Sequence, residues 1–291
     1  MDARLIAREI QPNASFVMEH ALAISALAEP KGVLGRIGSM EVRLARNSAE
    51  IAAAQAVRFR VFYEELGAKR ADIHDLEQRD ADRFDMICDH LLVIDTSIDG
   101  SEHDQIVGTY RLLRQERAQQ GGGFYTSEEF NLDSLIRRHP TRNFLELGRS
   151  CVLPSYRHKR TVELLWQGIW TYCNHHKIDV MTGCASLHGT VPAAHAEALT
   201  FLAYNFAATG AWRASALPAH YHAMDLMPAE AVNPKAAMSA LPPLVKGYLR
   251  LGAMIGDGCV VDADFRTVDV LVILPIERIG ERYLQHYAPK Q

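Results

Sequence analysis

The sequence predicts a single α/β domain, and three observations carry that prediction. Strand-like runs, alternating or continuously apolar, are interspersed with longer runs whose apolar residues recur every three to four positions. The most apolar run, "VLVILPI" from Val270, is far shorter than the roughly 20 residues of a membrane span and reads as a buried strand. No internal repeat, long low-complexity segment or obvious linker divides the chain.

Residues 1–40 are weakly patterned and read as an N-terminal extension, with "KGVLGRIG" as a glycine-punctuated connection; the α/β domain then covers 41–291. "MEVRLARN" alternates as a half-buried strand does. Asn47 or Ser48 caps a helix over "SAEIAAAQAVRFRVFYEEL", which Gly67 ends. The acid-rich loop "KRADIHDLEQRDADRFDMI" leads into two strands, "DHLLVIDT" and "QIVGTYRLLRQ". After a glycine-rich excursion come the strand "RNFLELGRSCVL", the helix "TVELLWQGIWTYCNHHK", the strand "IDVMTGCASL" and the helix "VPAAHAEALTFLAYNFAA". Pro192 falls in the first turn of that last helix, where its missing N–H is harmless. A C-terminal elaboration from about residue 211 adds a short helix over "PPLVKGYLRLGAMI" and a hairpin around "CVVDADFRTVDVLVILPI".

The 291 residues carry 31 basic and 35 acidic side chains, a net charge of -4, which removes the general electrostatic case for nucleic-acid binding. Any useful positive patch is therefore local. Five widely spaced cysteines, an odd number with no C-x-x-C pair, and an N-terminus without a signal-peptide pattern fit a reducing compartment.

The order strand, helix, three strands, helix, strand, helix, strand resembles the GNAT (acyl-CoA N-acyltransferase) fold, a mixed central sheet flanked by helices. Three segments make the likeness specific: "RFRVFYEELGA", "DHLLVID" with "IVGTYRLLR", and "FLELGRSCVLPSYR" with "ELLWQGIW". Together with "ALPAHYHAMDLMP" and "PPLVKGYLRLGAMIGDGCVVDADF" they resemble the bacterial L-ornithine Nα-acyltransferase family from roughly Gly35 to the C-terminus. A weaker similarity to acyl-homoserine-lactone synthases rests on Arg58 with Phe62, Asp82 with Asp85, Arg111, and Glu146 with Arg149.

The resemblance implies an enzyme that moves a long 3-hydroxyacyl chain from acyl carrier protein to the α-amino group of ornithine. It implies no resident cofactor and no metal, the donor being carried on the phosphopantetheine of the carrier protein. It also implies a cytoplasmic protein, compatible with peripheral contact at the inner membrane. Two alternatives stay open: a signal synthase using S-adenosylmethionine, and a catalytically silent GNAT module that binds acyl carrier protein.

Forming an amide from a thioester needs a neutral amine, a polarised carbonyl and an exit for the thiolate. Glu146, Arg149 and His90 are the candidate catalytic residues; Glu146, among Phe144, Leu145 and Leu147, has the surroundings that raise a carboxyl pKa and is the first candidate base, with pairing to Arg149 or Arg111 for stability as the alternative. Glu146 and Arg149 lie three apart and face opposite sides of a regular strand unless Gly148 marks a bulge. His90 is a candidate proton relay or a structural histidine. Asp82, Asp85 and Glu77 are candidate contacts for the two ammonium groups of ornithine, and Arg58 or Arg111 for its carboxylate. A solvated loop and a surface salt bridge are the bland alternatives for these groups. Tyr204 is either an acid for the leaving thiolate or core packing. The crowding of Cys173, His175 and His176, and of His220 and His222, lacks the spacing that zinc ligands on one helix face need.

Between the strand carrying Glu146 and the next helix, GNAT enzymes that use coenzyme A carry a Q/R-x-x-G-x-G/A loop that holds pyrophosphate on backbone N–H groups. Here the loop is "RHKRTV": Arg157 fits the first position, while Arg160 and Val162 replace the glycine and the small residue. Arg157, His158, Lys159 and Arg160 therefore read as a docking site for one phosphodiester and an acidic carrier protein, or as a solvated turn. Arg137, Arg138, His139 and Arg142 are a second basic set that would extend this face. Candidates for the acyl tunnel are Phe124, Tyr125, Phe130 and Leu135, and Trp166 with Trp170, all of which equally suit a core. Lys246 and Arg250, at the tips of an otherwise apolar segment, are compatible with an anionic bilayer.

Overall fold

The computed structural model describes residues 32–69 and 78–280, so Glu77 lies outside the described residues. The strands are β1 (Val33–Ile37), β2 (Met40–Leu44), β3 (Asp89–Asp95), β4 (Ile106–Arg114), β5 (Phe144–Val152), β6 (Val180–His188), β7 (Met254–Asp262) and β8 (Thr267–Pro275). They form one sheet in the order β1-β2-β3-β4-β5-β6-β8-β7, in which only the β5–β6 pair is parallel. The helices are α1 (Ser48–Phe59), α2 (Gln115–Gln120), α3 (Leu132–Arg138), α4 (Lys159–His176), α5 (Ala196–Asn205), α6 (Pro234–Ala240) and α7 (Pro243–Arg250).

The continuous apolar character of β3 follows from burial on both faces. Leu91 and Val93 pack with the α4 side of the core, where Leu164, Ile169 and Tyr172 project, while Leu92 and Ile94 pack with Ala54 and Val57 of α1. Asn47 is the residue that caps α1, its side chain accepting the Glu50 N–H at 3.0 Å. The helix continues to the expected end at Gly67, but through a wide turn over Arg60–Glu65, where the Leu66 N–H reaches back five residues to the Val61 carbonyl.

Two expectations are corrected here. Val33–Ile37, read as a connection before the domain boundary at 40/41, is an edge strand paired with β2; Gly38, at φ +63°, permits the tight turn between them. The last residues of "PPLVKGYLRLGAMI" are not helical: Gly252, at φ +95°, ends the turn after α7, and Met254 begins β7. The C-terminal hairpin joins the central sheet, where β8 pairs with β6 over all nine of its residues.

Two irregularities position the site. β5 and β6 pair only over Phe144↔Val180, Leu145↔Met181 and Glu146↔Thr182; beyond that β5 stays with β4 and β6 with β8, so the sheet splays open. Gly183 sits at the divide, where a Cβ would lie 2.4 Å from the Leu147 carbonyl oxygen. The expected bulge in β5 exists but is carried by Arg149 rather than Gly148. Between the pairs Thr109↔Cys151 and Arg111↔Gly148, Tyr110 opposes both Arg149 and Ser150, and Arg149 adopts φ +50°. A non-glycine residue in that left-handed conformation is uncommon, and Arg149 adopts it within a strand.

Candidate active site

The acid-rich segment from Gln78 onward meets β4 and β5, and six charged residues come together there. Arg58 is fully buried; its guanidinium grips Asp85 through two hydrogen bonds of 2.8 and 2.9 Å, and its Nε donates to Asp80 at 2.9 Å. Arg111 donates to Asp82 at 2.6 Å and lies 3.4 Å from Asp85, while Arg149 lies 3.3 Å from both Asp80 and Asp82. These guanidiniums hold the Asp82 and Asp85 carboxyls below the usual carboxylate range despite their burial.

His90 donates its Nε2–H to the Asp85 carbonyl at 3.0 Å; burial and the nearby Arg58 push its imidazole down to about 4. Asp82, Asp85, Arg58, Arg111 and His90 line neither of the two cavities described next. In this arrangement the residues expected as ammonium contacts, carboxylate contacts and proton relay are engaged with one another. The carboxylates accept guanidinium N–H groups, and the buried histidine is neutral and tied to a carbonyl. Asp80, which completes the cluster, carried no distinguishing signal in its charged loop.

A cavity of about 250 Å³ occupies the splay, with Glu146, Arg149, Cys184, Asp262 and Asp269 among its walls. Glu146 accepts the Thr126 N–H at 2.7 Å and the Tyr125 N–H at 3.0 Å, so its carboxylate pins the turn over Tyr125–Glu128 onto the sheet. Burial pushes this carboxyl up, with the two N–H groups and Arg111 acting against it. Each oxygen keeps lone-pair capacity beyond its backbone partner. The Arg149 guanidinium lies 4.7 Å from the Tyr125 ring centroid and 4.2 Å from that of Phe265.

The far wall of this cavity comes from the C-terminal hairpin. Asp269 lies opposite Ser186 across the β6–β8 ladder, is buried, and has an Oδ1 with no hydrogen-bond partner among the described residues. Asp262 flanks it and accepts the Phe265 N–H at 2.9 Å. Behind the wall, Glu129 accepts the Cys184 S–H at 3.1 Å, and donor atoms of Glu129, Cys184 and Asp269 all lie within 4.8 Å of one another, close enough to serve one cation. Burial and then Asp269 raise the Glu129 carboxyl to about 8, and burial raises Asp269 to about 6. A carboxylate inside the apolar run "TVDVLVILP" was the available sequence signal for Asp269. Glu129, in "SEEF", had none.

A second, mostly apolar cavity of about 900 Å³ lies between the end of β5, the start of α4 and α7, with Val61, Leu165, Trp166, Ile169 and Leu251 in its walls. It adjoins the first, sharing Phe62, Leu66, Tyr110, Ser150 and Leu244. Of the tunnel candidates, Trp166 lines it and Tyr125 lines the smaller cavity, whereas Phe124, Phe130 and Leu135 belong to the core and Trp170 packs against it. Tyr204 is 59% exposed and lines neither cavity, which excludes both of its expected roles.

The basic loop stands at the rim of the large cavity, which Arg157 and Lys159 help to line. Arg157 forms two 2.6 Å hydrogen bonds to Glu65, and the His158 side chain caps α4 by accepting the Thr161 N–H. Lys159 is exposed beside Glu163, and Arg160 is exposed. Only part of the expected positive charge therefore faces outward uncommitted. The second basic set does not extend this face. It lies before the start of β5 while the loop follows its end, about 30 Å away along a nine-residue strand. Arg142 is paired with Glu277 at 2.6 Å, and His139 stacks on Trp212.

Comparison with known proteins agrees with this architecture. The chain is 62% identical over 255 residues to the L-ornithine N(alpha)-acyltransferase of Brucella abortus (strain 2308), a match covering 88% of this chain and 91% of the relative. The chain belongs to the L-ornithine N(alpha)-acyltransferase family. A second member of the family, from Rhizobium meliloti (strain 1021), is 60% identical over 263 residues, or 90% of this chain and 89% of its own. The acetyltransferase (GNAT) domain matches residues 57–167, which run from the end of α1 into α4 and include the bulge at Arg149. The family assignment makes the chain an N-acyltransferase with a GNAT fold. Among solved structures, an N-acyl amino acid synthase from uncultured soil microbes aligns with a TM-score of 0.46 and 12% identity over 82% of this chain and 91% of that one.

Proposed function

We propose that the chain transfers a long 3-hydroxyacyl group from acyl carrier protein to the α-amino group of L-ornithine, giving the lyso form of an ornithine lipid. One observation carries the reading beyond the family name: an apolar cavity of about 900 Å³ adjoins a small polar one at the strand splay. An acyl chain fits the first and an amino acid the second, so that thioester and amine meet at their junction.

In the reaction the neutral amine attacks the thioester carbonyl carbon; the C–N bond forms, the C–S bond breaks, and the amine's surplus proton leaves with the carrier's thiol. The backbone of β5 past Glu146, freed from β6, supplies N–H dipoles for the carbonyl oxygen. Glu146 holds the turn that roofs the site and can take up a proton from it. Arg149 faces the acceptor's carboxylate from the cavity wall.

The donor side favours a carrier protein over coenzyme A. Arg160 and Val162 replace the glycine and small residue that pyrophosphate binding demands, and exposed Lys159 and Arg160 offer charge to an acidic partner. No helix among the described residues is long and apolar enough to cross a membrane. Delivery of a lipid product through peripheral contact of α7, with Lys246 and Arg250, completes the reading.

Incubating the protein with acylated carrier protein and radiolabelled ornithine is expected to yield a labelled lipophilic amide. Transfer from acyl-coenzyme A but from no acylated carrier protein, across chain lengths, would overturn the donor assignment. The double variant Lys159→Glu, Arg160→Glu is expected to raise KM for the acylated carrier protein at least about tenfold with the ornithine KM unchanged.

A further inference from the structure

The cavity at the splay has one wall with a carboxylate oxygen that the fold leaves open. Asp269 is 5% exposed, sits in the middle of an apolar strand, and has an Oδ1 without a hydrogen-bond partner among the described residues. Burying a carboxylate this way is costly unless a cation meets it. Asp262 stands in the same wall, and Glu129 lies close behind Cys184. Arg149, the arginine in these walls, directs its guanidinium toward Asp80 and Asp82 and between the Tyr125 and Phe265 rings.

We propose that Asp269, flanked by Asp262, is the subsite for the acceptor's side-chain ammonium, and that this contact makes the enzyme select a diamino acid over a neutral one. The proposal rests on the reading of the small cavity as the acceptor pocket. An ammonium offers three N–H donors, enough for the open Oδ1 of Asp269 and for Asp262 beside it. The ammonium is bound and not consumed, so it takes no part in bond making. With this end of the acceptor held at the C-terminal hairpin and its carboxylate near Arg149, the remaining amine is presented to the thioester at the junction of the cavities. Glu129 does not line the cavity and acts as a positioning residue through its proximity to Asp269 and Cys184.

The raised carboxyls agree with this placement. Burial lifts Asp269 to about 6 against hydrogen bonds from Thr267 and Ser186 and the charge of Arg149, and burial with Asp269 lifts Glu129 to about 8. The contrast is with Asp82 and Asp85, lowered by their arginines.

The test compares ornithine with norvaline, which has the same carbon chain and no second amine, as acceptors for the wild type, Asp269→Asn and Glu129→Gln. Wild type is expected to prefer ornithine. Asp269→Asn is expected to lower kcat/KM for ornithine by roughly 10- to 100-fold, mostly through KM, the worth of one or two charged hydrogen bonds, and to leave norvaline unchanged. Glu129→Gln is expected to have a smaller effect in the same direction.

An equal fall for both acceptors through kcat would make Asp269 a proton acceptor and overturn the proposal, as would an unchanged ornithine KM or a wild type indifferent between the two. Calorimetric titration with ornithine alone separates this proposal from the donor reading. Binding that Asp269→Asn abolishes, in a protein that accepts no acylated carrier protein, would sustain the subsite and sink the carrier. No binding and no transfer by the wild type would sink both. Retained cooperative unfolding of Asp269→Asn is the control for folding.

Discussion

The protein buries charge in two neighbouring places and handles it in opposite ways. Around Arg58, three arginines and three aspartates are interlocked at hydrogen-bonding distance, and of the six Arg149 alone reaches a cavity wall. Along the C-terminal hairpin, Asp262 and Asp269 face the small cavity, with Glu129 behind them. A buried charge that has its partner is part of the scaffold, because removing either member strands the other. A buried charge facing a cavity without one is poised for a ligand, and the fold bears its desolvation in the meantime. The acids Asp80, Asp82 and Asp85 of the charge-rich loop are thus held by arginines, and the two acids of the plainest-looking hairpin face the small cavity.

The largest effect expected from breaking this contrast is at Arg58. Arg58→Met leaves Asp80 and Asp85 buried without their guanidinium and is expected to cost about 3–5 kcal/mol in urea denaturation. Asp269→Asn, which removes a buried carboxyl that no arginine grips, is expected to cost far less than Arg58→Met or to stabilise; losses of similar size in both would erase the distinction. Next comes Glu146→Gln, which weakens two backbone contacts to a carboxylate. About 1–3 kcal/mol of stability should be lost, the segment around Tyr125–Glu128 should be cut faster in limited proteolysis, and turnover should fall more than ornithine binding. Unchanged turnover would leave Glu146 with its anchoring role alone.

The two regions also titrate in opposite senses. Asp82 and Asp85 are lowered from an ordinary value of 3.8, so their stabilisation is present above that pH and is lost as the pH falls below it. Asp269 and Glu129 are raised to about 6 and about 8 from ordinary values of 3.8 and 4.5. Between those limits the folded protein binds more protons than the unfolded chain, so their contribution to stability declines as the pH rises. In urea melts from pH 3 to 8, the pair Asp269→Asn, Glu129→Gln should flatten the slope between about pH 5 and 8 and leave the acid limb below pH 4 in place. The smallest effect is expected at the surface, where Arg157→Ala removes a bidentate contact with Glu65 and should shift stability by no more than about 1 kcal/mol.

Much of the architecture was legible in the sequence because it depends on local periodicity. The helix capped by Asn47, the doubly buried β3 and the strand that carries Glu146 follow from patterns within ten or twenty residues. The edge strand Val33–Ile37 was missed because two glycines in "KGVLGRIG" read as punctuation, although one of them, Gly38, builds the turn that pairs the strand. The bulge was legible as a possibility and misplaced by one residue, since nothing local requires Arg149 rather than Gly148 to adopt the left-handed conformation.

The site divides along the same line. By itself the chain determined its class, its family likeness, the absence of the pyrophosphate glycines and the acidic or basic character of each segment, all properties of residue type and short spacing. Which charges neutralise one another was decided only by the tertiary structure, because Arg58 meets Asp80 and Asp85 across more than twenty residues and Asp269 meets Glu129 across well over a hundred. Coulomb and desolvation energies depend on distance and burial in space, and neither is written in the order of residues along the chain.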